Sequence, residues 1–314
     1  FFFKQKTAYE IKECDWSSDV CSSDLVFAPV VDVNNNPANP VINTRSFGED
    51  PDAVARLSAA FVRGVQAAGV ASTAKHFPGH GDTDTDSHIA LPVVRSTRAT
   101  LAAVELPPIR TAIGAGIAGI MSAHIALPAI EPDNTPATLA PSVMSGLLRD
   151  SLGFRGLAVT DAMTMQGVGK GYTIEQSSVL AMRAGADILL MPSDTRRAID
   201  AVTAAVERGE LSRERIDQSV RRVLETKVRT GAVARPVVPL DSLRMIVGSG
   251  DHRAAAQRIA DAAVTLLRDA GSQVPMAAGT PTVVVNFAGE QDVLAGRDFF
   301  GELRRAWHTV RQVR

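Results

Sequence analysis

Apolar positions along this chain alternate between two periods: short unbroken runs, and stripes at three- and four-residue spacing. The first run is Val26-Phe27-Ala28-Pro29-Val30-Val31, which stops at Asp32 and an Asn/Pro-rich stretch. Asp50 then caps a helix with Pro51 at its first position. Val54, Leu57, Phe61 and Val65 share one face of that helix, and Gly69 ends it. The next strand is Val70 to Phe77. Thr97 to Ala115 reads as a helix broken by Pro107-Pro108. Gly119 to His124 is a strand, and Pro141 to Leu152 a helix closed by Gly153. Gly156 to Asp161 is a strand, and Ile174 to Ala184 a helix closed by Gly185. A strand at Asp187 to Met191 precedes helices at Arg196 to Arg208 and Ser212 to Val228. In the last of these, Ile216, Val220, Val223, Leu224 and Val228 make the apolar stripe.

Continuous apolar strands alternating with amphipathic helices predict an α/β fold whose parallel sheet is buried on both faces. The strands deliver polar residues at their C-terminal ends: Asp32, Lys75-His76, His124 and Asp161. Polar groups converging from every strand end fit a closed barrel better than a doubly wound sheet with one crevice. The pattern supplies about five βα units of the eight a barrel needs. The expectation is therefore a (β/α)8 TIM barrel over 26–232 that lacks about its first three units. A linker over 233–250, centred on Pro236 to Pro239, leads to the start of a second α/β domain over 251–314. That domain opens with a long helix at Asp251 to Asp269 and a strand at Thr282 to Phe287.

Charge narrows the partners. Over 314 residues the formal net charge is −1, which argues against a nucleic-acid or anionic-membrane partner. No apolar run has the length of a membrane span. Residues 1–25 carry no apolar period and no cleavable signal pattern, and resemble translated sequencing-library adapter. They are expected to contribute nothing to the fold. Both cysteines, Cys14 and Cys21, lie there, so the rest of the chain has no thiolate or disulfide chemistry.

The densest chemistry is Lys75 to Pro92, KHFPGHGDTDTDSHIALP, on a strand end that dissolves into a loop. Asp161 is the second anchor, at the end of LAVTD. Three chemistries suit this company. Glycoside hydrolysis needs a carboxylate nucleophile and a proton donor, and a His held by an Asp, as in Asp86-Ser87-His88, can donate. Metal-assisted hydrolysis by His76, His80 and His88 lacks a ligand pair at helical spacing, because Pro78 and Gly79 interrupt the first two. Calcium binding by Asp82, Asp84 and Asp86 lacks the required Gly and Glu, whose places hold Ser87 and Val93.

KHFPGHGDTDTDSH, with VTDAM downstream and NPVINTRSFGEDP upstream, closely resembles glycoside hydrolase family 3, in its bacterial β-N-acetylglucosaminidase branch. The resemblance implies a (β/α)8 barrel and a retaining, cofactor-free and metal-free hydrolase. It implies a carbohydrate substrate carrying terminal β-linked N-acetylglucosamine, such as peptidoglycan fragments. By that resemblance Asp161 is the nucleophile, His88 the acid/base and Asp86 its partner. Arg45, Lys75 and His76 match substrate-binding residues. A β-glucosidase of the same family, or a sugar-binding remnant without turnover, are the alternatives. Gly79 and Gly81 are expected to let the loop swing, and His80, Asp82 and Asp84 to shape it. His124 reads equally as a pocket residue or a satisfied core histidine.

Overall fold

The computed structural model describes residues 24–234, 245–271, 274–275, 282–285, 296–306 and 310–313. They belong to two compact units, 1–247 and 248–314. Residues 1–23 of the adapter-like segment 1–25 and the Pro236 to Pro239 linker lie outside the described residues, but the end of that segment does enter the fold, since Leu25 pairs with Ala71 and the Asp24 carbonyl accepts the Ala71 N–H.

The first unit is built on a parallel sheet, as the alternation of periods requires. Strands β1 (Leu25–Val26), β2 (Ala71–Phe77), β3 (Gly119–Ser122) and β4 (Leu157–Val159) lie side by side in that order. Helix α1 (Pro51–Ala67) returns the chain from β1 to β2, and α2 (Leu106–Gly114) from β2 to β3. A π-helical segment, Ser142–Ser151, leads into β4. Then follow α3 (Gln166–Gly169), α4 (Ile174–Ala184), α5 (Thr195–Glu207) and α6 (Arg213–Arg229). Caps fall where the sequence places them: Asp50 accepts the Ala53 N–H at 2.7 Å, with Pro51 next, and Gly185 ends α4 at φ +130°.

Side chains alternate across the sheet, so each strand feeds two cores. Ala74, Phe77, Ile120 and Ala158 face the helices and pack with Val62, Ile109, Met144 and Leu148. Met121, Leu157 and Val159 face the other way and pack with Phe27, Ile188, Leu190 and Val223. Both faces are buried, which is why the strands read as unbroken apolar runs.

Several elements differ from the sequence reading. Pro107 and Pro108 do not break a helix; they sit in the first turn of α2, where a missing N–H costs nothing. The turn before it, Leu101–Glu105, is π-helical and carries the Leu106 N–H to the Leu101 carbonyl. The first apolar run forms only a two-residue strand plus a bridge from Val30 to Lys75, since Pro29 has no N–H to give the ladder. Asp187 to Met191 joins the sheet through a single parallel bridge, Val159 to Ile188. Leu190 instead donates its N–H to the Thr160 side chain. On α1 the buried face is Val54, Ala55, Ser58, Ala59 and Val62, while Leu57 and Phe61 are exposed. On α6, Ile216 and Val223 pack, but Val220, Leu224 and Val228 are exposed.

In the second unit, α7 (Gly250–Ala263) is shorter than the helix expected there, and Ser249 caps it. β5 (Thr282–Val285) pairs in parallel with β6 (Val310–Val313), and α8 (Arg297–Ala306) stands between them in the chain. Phe287 of the expected strand lies outside the described residues.

Candidate active site

β2 sets the site by breaking its own alternation. Lys75 pairs with Met121 and Phe77 with Ser122, so His76 is an extra residue in the ladder. A bulge of this kind re-aims side chains. Lys75 and His76, adjacent in sequence, are both buried here and both reach the field of Asp161. Asp32, at the end of the first apolar run, locks the arrangement. Its Oδ2 lies 2.7 Å from His76 Nδ1, and the backbone N–H groups of His76 and His80 donate to the same carboxylate. Burial would raise the Asp32 pKa, but His76 and the His80 N–H outweigh it and hold the carboxyl low.

The far side of the His76 ring faces the reaction space. Its Nε2 lies 3.4 Å from Arg45 Nη2 and 3.9 Å from Asp161 Oδ2. A guanidinium only donates, so Nε2 accepts and Nδ1–H points to Asp32. Arg45 is itself anchored to the Val41 carbonyl at 2.7 Å. Asp161 accepts the N–H of Ala162 at 2.8 Å. Burial works against its charge, yet His76, the Ala162 N–H and Lys75 keep it below the ordinary carboxylate range. Burial and the nearby Arg45 push Lys75 down to about 8, partly offset by Asp161 and Asp32. The strand ends thus hold two ionised carboxylates: Asp32, whose oxygens are taken up by His76 and His80, and Asp161, which faces Arg45, Lys75 and His76.

The loop after β2 is clamped at its base and displayed at its tip. A Cβ on Gly81 would lie 1.7 Å from the Val33 carbonyl, and one on Gly79 would lie 2.2 Å from Glu105 Oε2. The lack of a Cβ lets Gly81 approach the Val33 backbone and Gly79 the Glu105 side chain, and Gly79 also takes a positive φ of +141°. Asn39 ties the same base down by donating to the carbonyls of His80 and Gly81, each at 2.8 Å. His80 is buried between Thr83 Oγ1 at 2.7 Å and Ser87 Oγ at 3.0 Å, and burial pushes it to about 4. Asp82 accepts from Ser96, and Asp84 from Thr85. His80, Asp82 and Asp84 therefore hold the loop's shape.

Asp86 and His88 meet as the spacing suggests. Asp86 Oδ1 lies 2.7 Å from His88 Nδ1 and also accepts the His88 N–H at 2.8 Å. Burial opposes the Asp86 charge, but the bonds to the His88 N–H and ring together outweigh it and hold the carboxyl low. The His88 side chain is 59% exposed and has no bond to Asp161. The tip docks on α3 instead: Gly167 and Gln166 donate N–H groups to the Ser87 and His88 carbonyls, at 3.1 and 3.4 Å, and Lys170 donates to Ile89. His76, His80 and His88 each take a different partner.

Arg45, Lys75, His76 and Asp161 therefore come together, while His88 bonds Asp86 on the loop, and the Asp86 charge is itself felt by Arg45. Sequence reasoning noted Asp32 as a strand-end polar residue without giving it a role, and assigned none to Asn39 or Glu105. Asp32 carried a signal, since it ends an apolar run as Asp161 does. Glu105 is a lone acid within an apolar helical stretch, and Asn39 opens the NPVINTRSFGEDP stretch but was given no role there. His124 is a core histidine: it is fully buried between Thr138 Oγ1 at 2.9 Å and the Ala162 carbonyl at 3.1 Å. It fixes the backbone next to Asp161.

The family model described as glycosyl hydrolase family 3 N terminal domain matches residues 13–226. A beta-hexosaminidase A of Pseudoalteromonas piscicida is 37% identical over 265 residues, covering 78% of this chain and 44% of that protein. A beta-N-acetylglucosaminidase/beta-glucosidase of Cellulomonas fimi is 33% identical over 263 residues, covering 80% of this chain and 46% of the relative. Among solved structures, a glycoside hydrolase family 3 beta-N-acetylglucosaminidase from Paenibacillus sp. str. FPU-7 superposes with a TM-score of 0.80 at 39% identity, covering 92% of this chain and 56% of the other. The chain thus spans about half the length of the relatives it matches.

Proposed function

This chain belongs to glycosyl hydrolase family 3, and from that premise we propose that it carries the catalytic centre of a retaining glycosidase acting on terminal β-linked N-acetylglucosamine. The observation that carries the reading is the ionised, partly buried Asp161 lying 3.9 Å from His76, with Lys75 and Arg45 around it. A carboxylate held low beside cationic donors suits attack on an anomeric carbon. In the first step an Asp161 oxygen forms a bond to that carbon as the glycosidic bond breaks. His88, protonated, gives its proton to the leaving oxygen. In the second step water attacks the glycosyl ester and His88 takes its proton. Asp86, 2.7 Å from Nδ1, fixes the ring tautomer and leaves Nε2 to exchange the proton in both steps. Lys75, His76 and Arg45 hold the sugar hydroxyls. Because the tip of the loop is docked on α3, Asp161 and His88 are linked through α3, which starts five residues after Asp161.

Peptidoglycan fragments are the substrates this reading favours. The Cellulomonas fimi relative bears a glucosidase name too, which supports assaying glucosides alongside. The parallel sheet is read as part of a closed barrel. Support comes from the exposed apolar faces of α1 and α6, at Leu57, Phe61, Val220, Leu224 and Val228, which further βα units would cover. The β5–β6 unit is read as the start of a second α/β domain.

Mass spectrometry after treatment with a slow fluorinated N-acetylglucosamine analogue tests the assignment. A glycosyl adduct on Asp161 is expected. An adduct on another residue, or an inverted anomer in the product by NMR, would overturn it.

A further inference from the structure

Glu105 has no part in the chemistry above, yet it lies under the loop that carries His88. It ends the π-helical turn Leu101–Glu105 and is 3% exposed, and its Oε2 has no hydrogen-bond partner. The loop backbone rests directly on it: a Cβ on Gly79 would fall 2.2 Å from Oε2 and 2.6 Å from Cδ. The groups facing Glu105 oppose a charge there. Burial acts first, then the carboxylates Asp32 and Asp82, and only the Val33 N–H favours ionisation. His80 on the same loop is itself pushed to about 4 by burial, so it brings no positive charge at neutral pH. Burial thus raises the Glu105 pKa well above the usual carboxylate range. A buried carboxylate without a cation neutralises rather than persist.

We propose that Glu105 is a positioning residue for the acid/base loop, acting as an uncharged carboxylic acid wedged between Gly79 and the Asp32–Val33 segment. Two lines of contact run from it. One passes through His80, next to Gly79, whose Nε2 lies 3.0 Å from Ser87 Oγ, the residue before His88. The other passes through Asp32, whose charge collects the His76 and His80 N–H groups and the His76 ring. A second negative charge beside Asp32 would compete for those donors and push Gly79 away. An uncharged acid fills the space and leaves the donors with Asp32.

The kinetic part of the test rests on the reading of His88 as the proton donor; the spectroscopic part does not. Infrared difference spectra of wild type against Glu105→Gln, taken at pH 7 without substrate, are expected to contain the carbonyl stretch of a protonated carboxylic acid. Carboxylate bands alone would overturn the proposal. Thermal melts provide a second substrate-free measurement. A raised folded pKa means that the stability owed to this group is full below its ordinary 4.5 and is lost as pH rises through the shifted value. The melting temperature of Glu105→Gln should therefore gain on wild type as pH rises, and a constant difference counts against the idea. For kinetics, Glu105→Ala should lower kcat roughly tenfold on N-acetylglucosaminides with poor leaving groups, and far less on activated aryl ones. Glu105→Gln should restore most of the loss. Equal losses on both substrates, or no rescue by Gln, would refute the positioning role. A wild type without glycosidase activity would sink the functional reading alone and leave the infrared and melting results to decide the charge state. Should Glu105→Ala fail to fold, those same two measurements on Glu105→Gln decide the proposal.

Discussion

At the scale of single residues, the histidines of the loop divide by their surroundings. His88 is exposed and paired with Asp86, so it can exchange protons with a substrate. Its removal should matter in proportion to how much the leaving group needs a proton. We expect His88→Ala to slow poor leaving groups by roughly a hundredfold or more and activated aryl glycosides much less. Steady-state kinetics on both substrates check this, and equal losses would argue against the donor role. His80 is the opposite case, buried and pushed from 6.5 to about 4. Its folded pKa is depressed, so the unfolded chain binds the extra proton first. The stability it permits is present above 6.5 and is lost as pH falls towards about 4, a change of about 3 kcal/mol. His80→Asn should flatten that part of the stability curve, measured by urea unfolding between pH 7 and 4.5. An unchanged acid slope in the variant would show that another group is responsible.

At the scale of elements, the loop after β2 is a rigid base carrying a displayed tip. Gly81 is required there by the approach of the Val33 carbonyl, not by flexibility. A methyl group added at this point meets backbone that cannot step aside. Gly81→Ala should cost about 3 kcal/mol or more and reduce activity with it, because Asp32 and Asn39 lose their hold on the loop. Chemical denaturation of the variant measures the cost; a loss under about 0.5 kcal/mol would show that the base can shift. Legibility in the sequence also divides at this scale. Asp86 and His88 were readable as a pair because they are two residues apart. The clamp was not, because Asn39 and Gly81 are 42 residues apart and nothing local marks their meeting. The helix stripes were misjudged for a related reason. Leu57 and Phe61 have the spacing of a buried face, but the face that packs carries Ala55, Ser58 and Ala59, and Leu57 and Phe61 stay exposed.

At the scale of the whole first unit, one buried carboxylate ties layers together. Asp187 accepts from Arg149, Arg222, Ser219 and the Ala158 N–H at 2.7 to 2.9 Å, and from Arg215 at 3.4 Å. These partners come from the π-helical segment, from β4 and from α6. Burial pushes the Arg149 guanidinium down to about 10 despite the Asp187 charge, with Arg222 and Arg215 adding to the fall. Taking the carboxylate away leaves three guanidinium groups facing each other. Asp187→Asn is expected to lose about 3–5 kcal/mol of unfolding free energy, read from the urea midpoint, without touching the site at the strand ends. A loss below about 1 kcal/mol would mean that solvent already screens the cluster. The sequence by itself determined the parallel α/β order, the caps, and the delivery of Lys75, His76 and Asp161 at strand ends. Those follow from period, turn residues and strand polarity, all of which act over a few neighbouring positions. Only the tertiary structure decided that Asp32 orients His76 from 44 residues away, that Glu105 lies beneath Gly79, and that His88 is displayed to solvent on Asp86. Burial and the field at a carboxyl are sums over whatever packs around it, and those neighbours are chosen by the fold rather than by the adjacent chain.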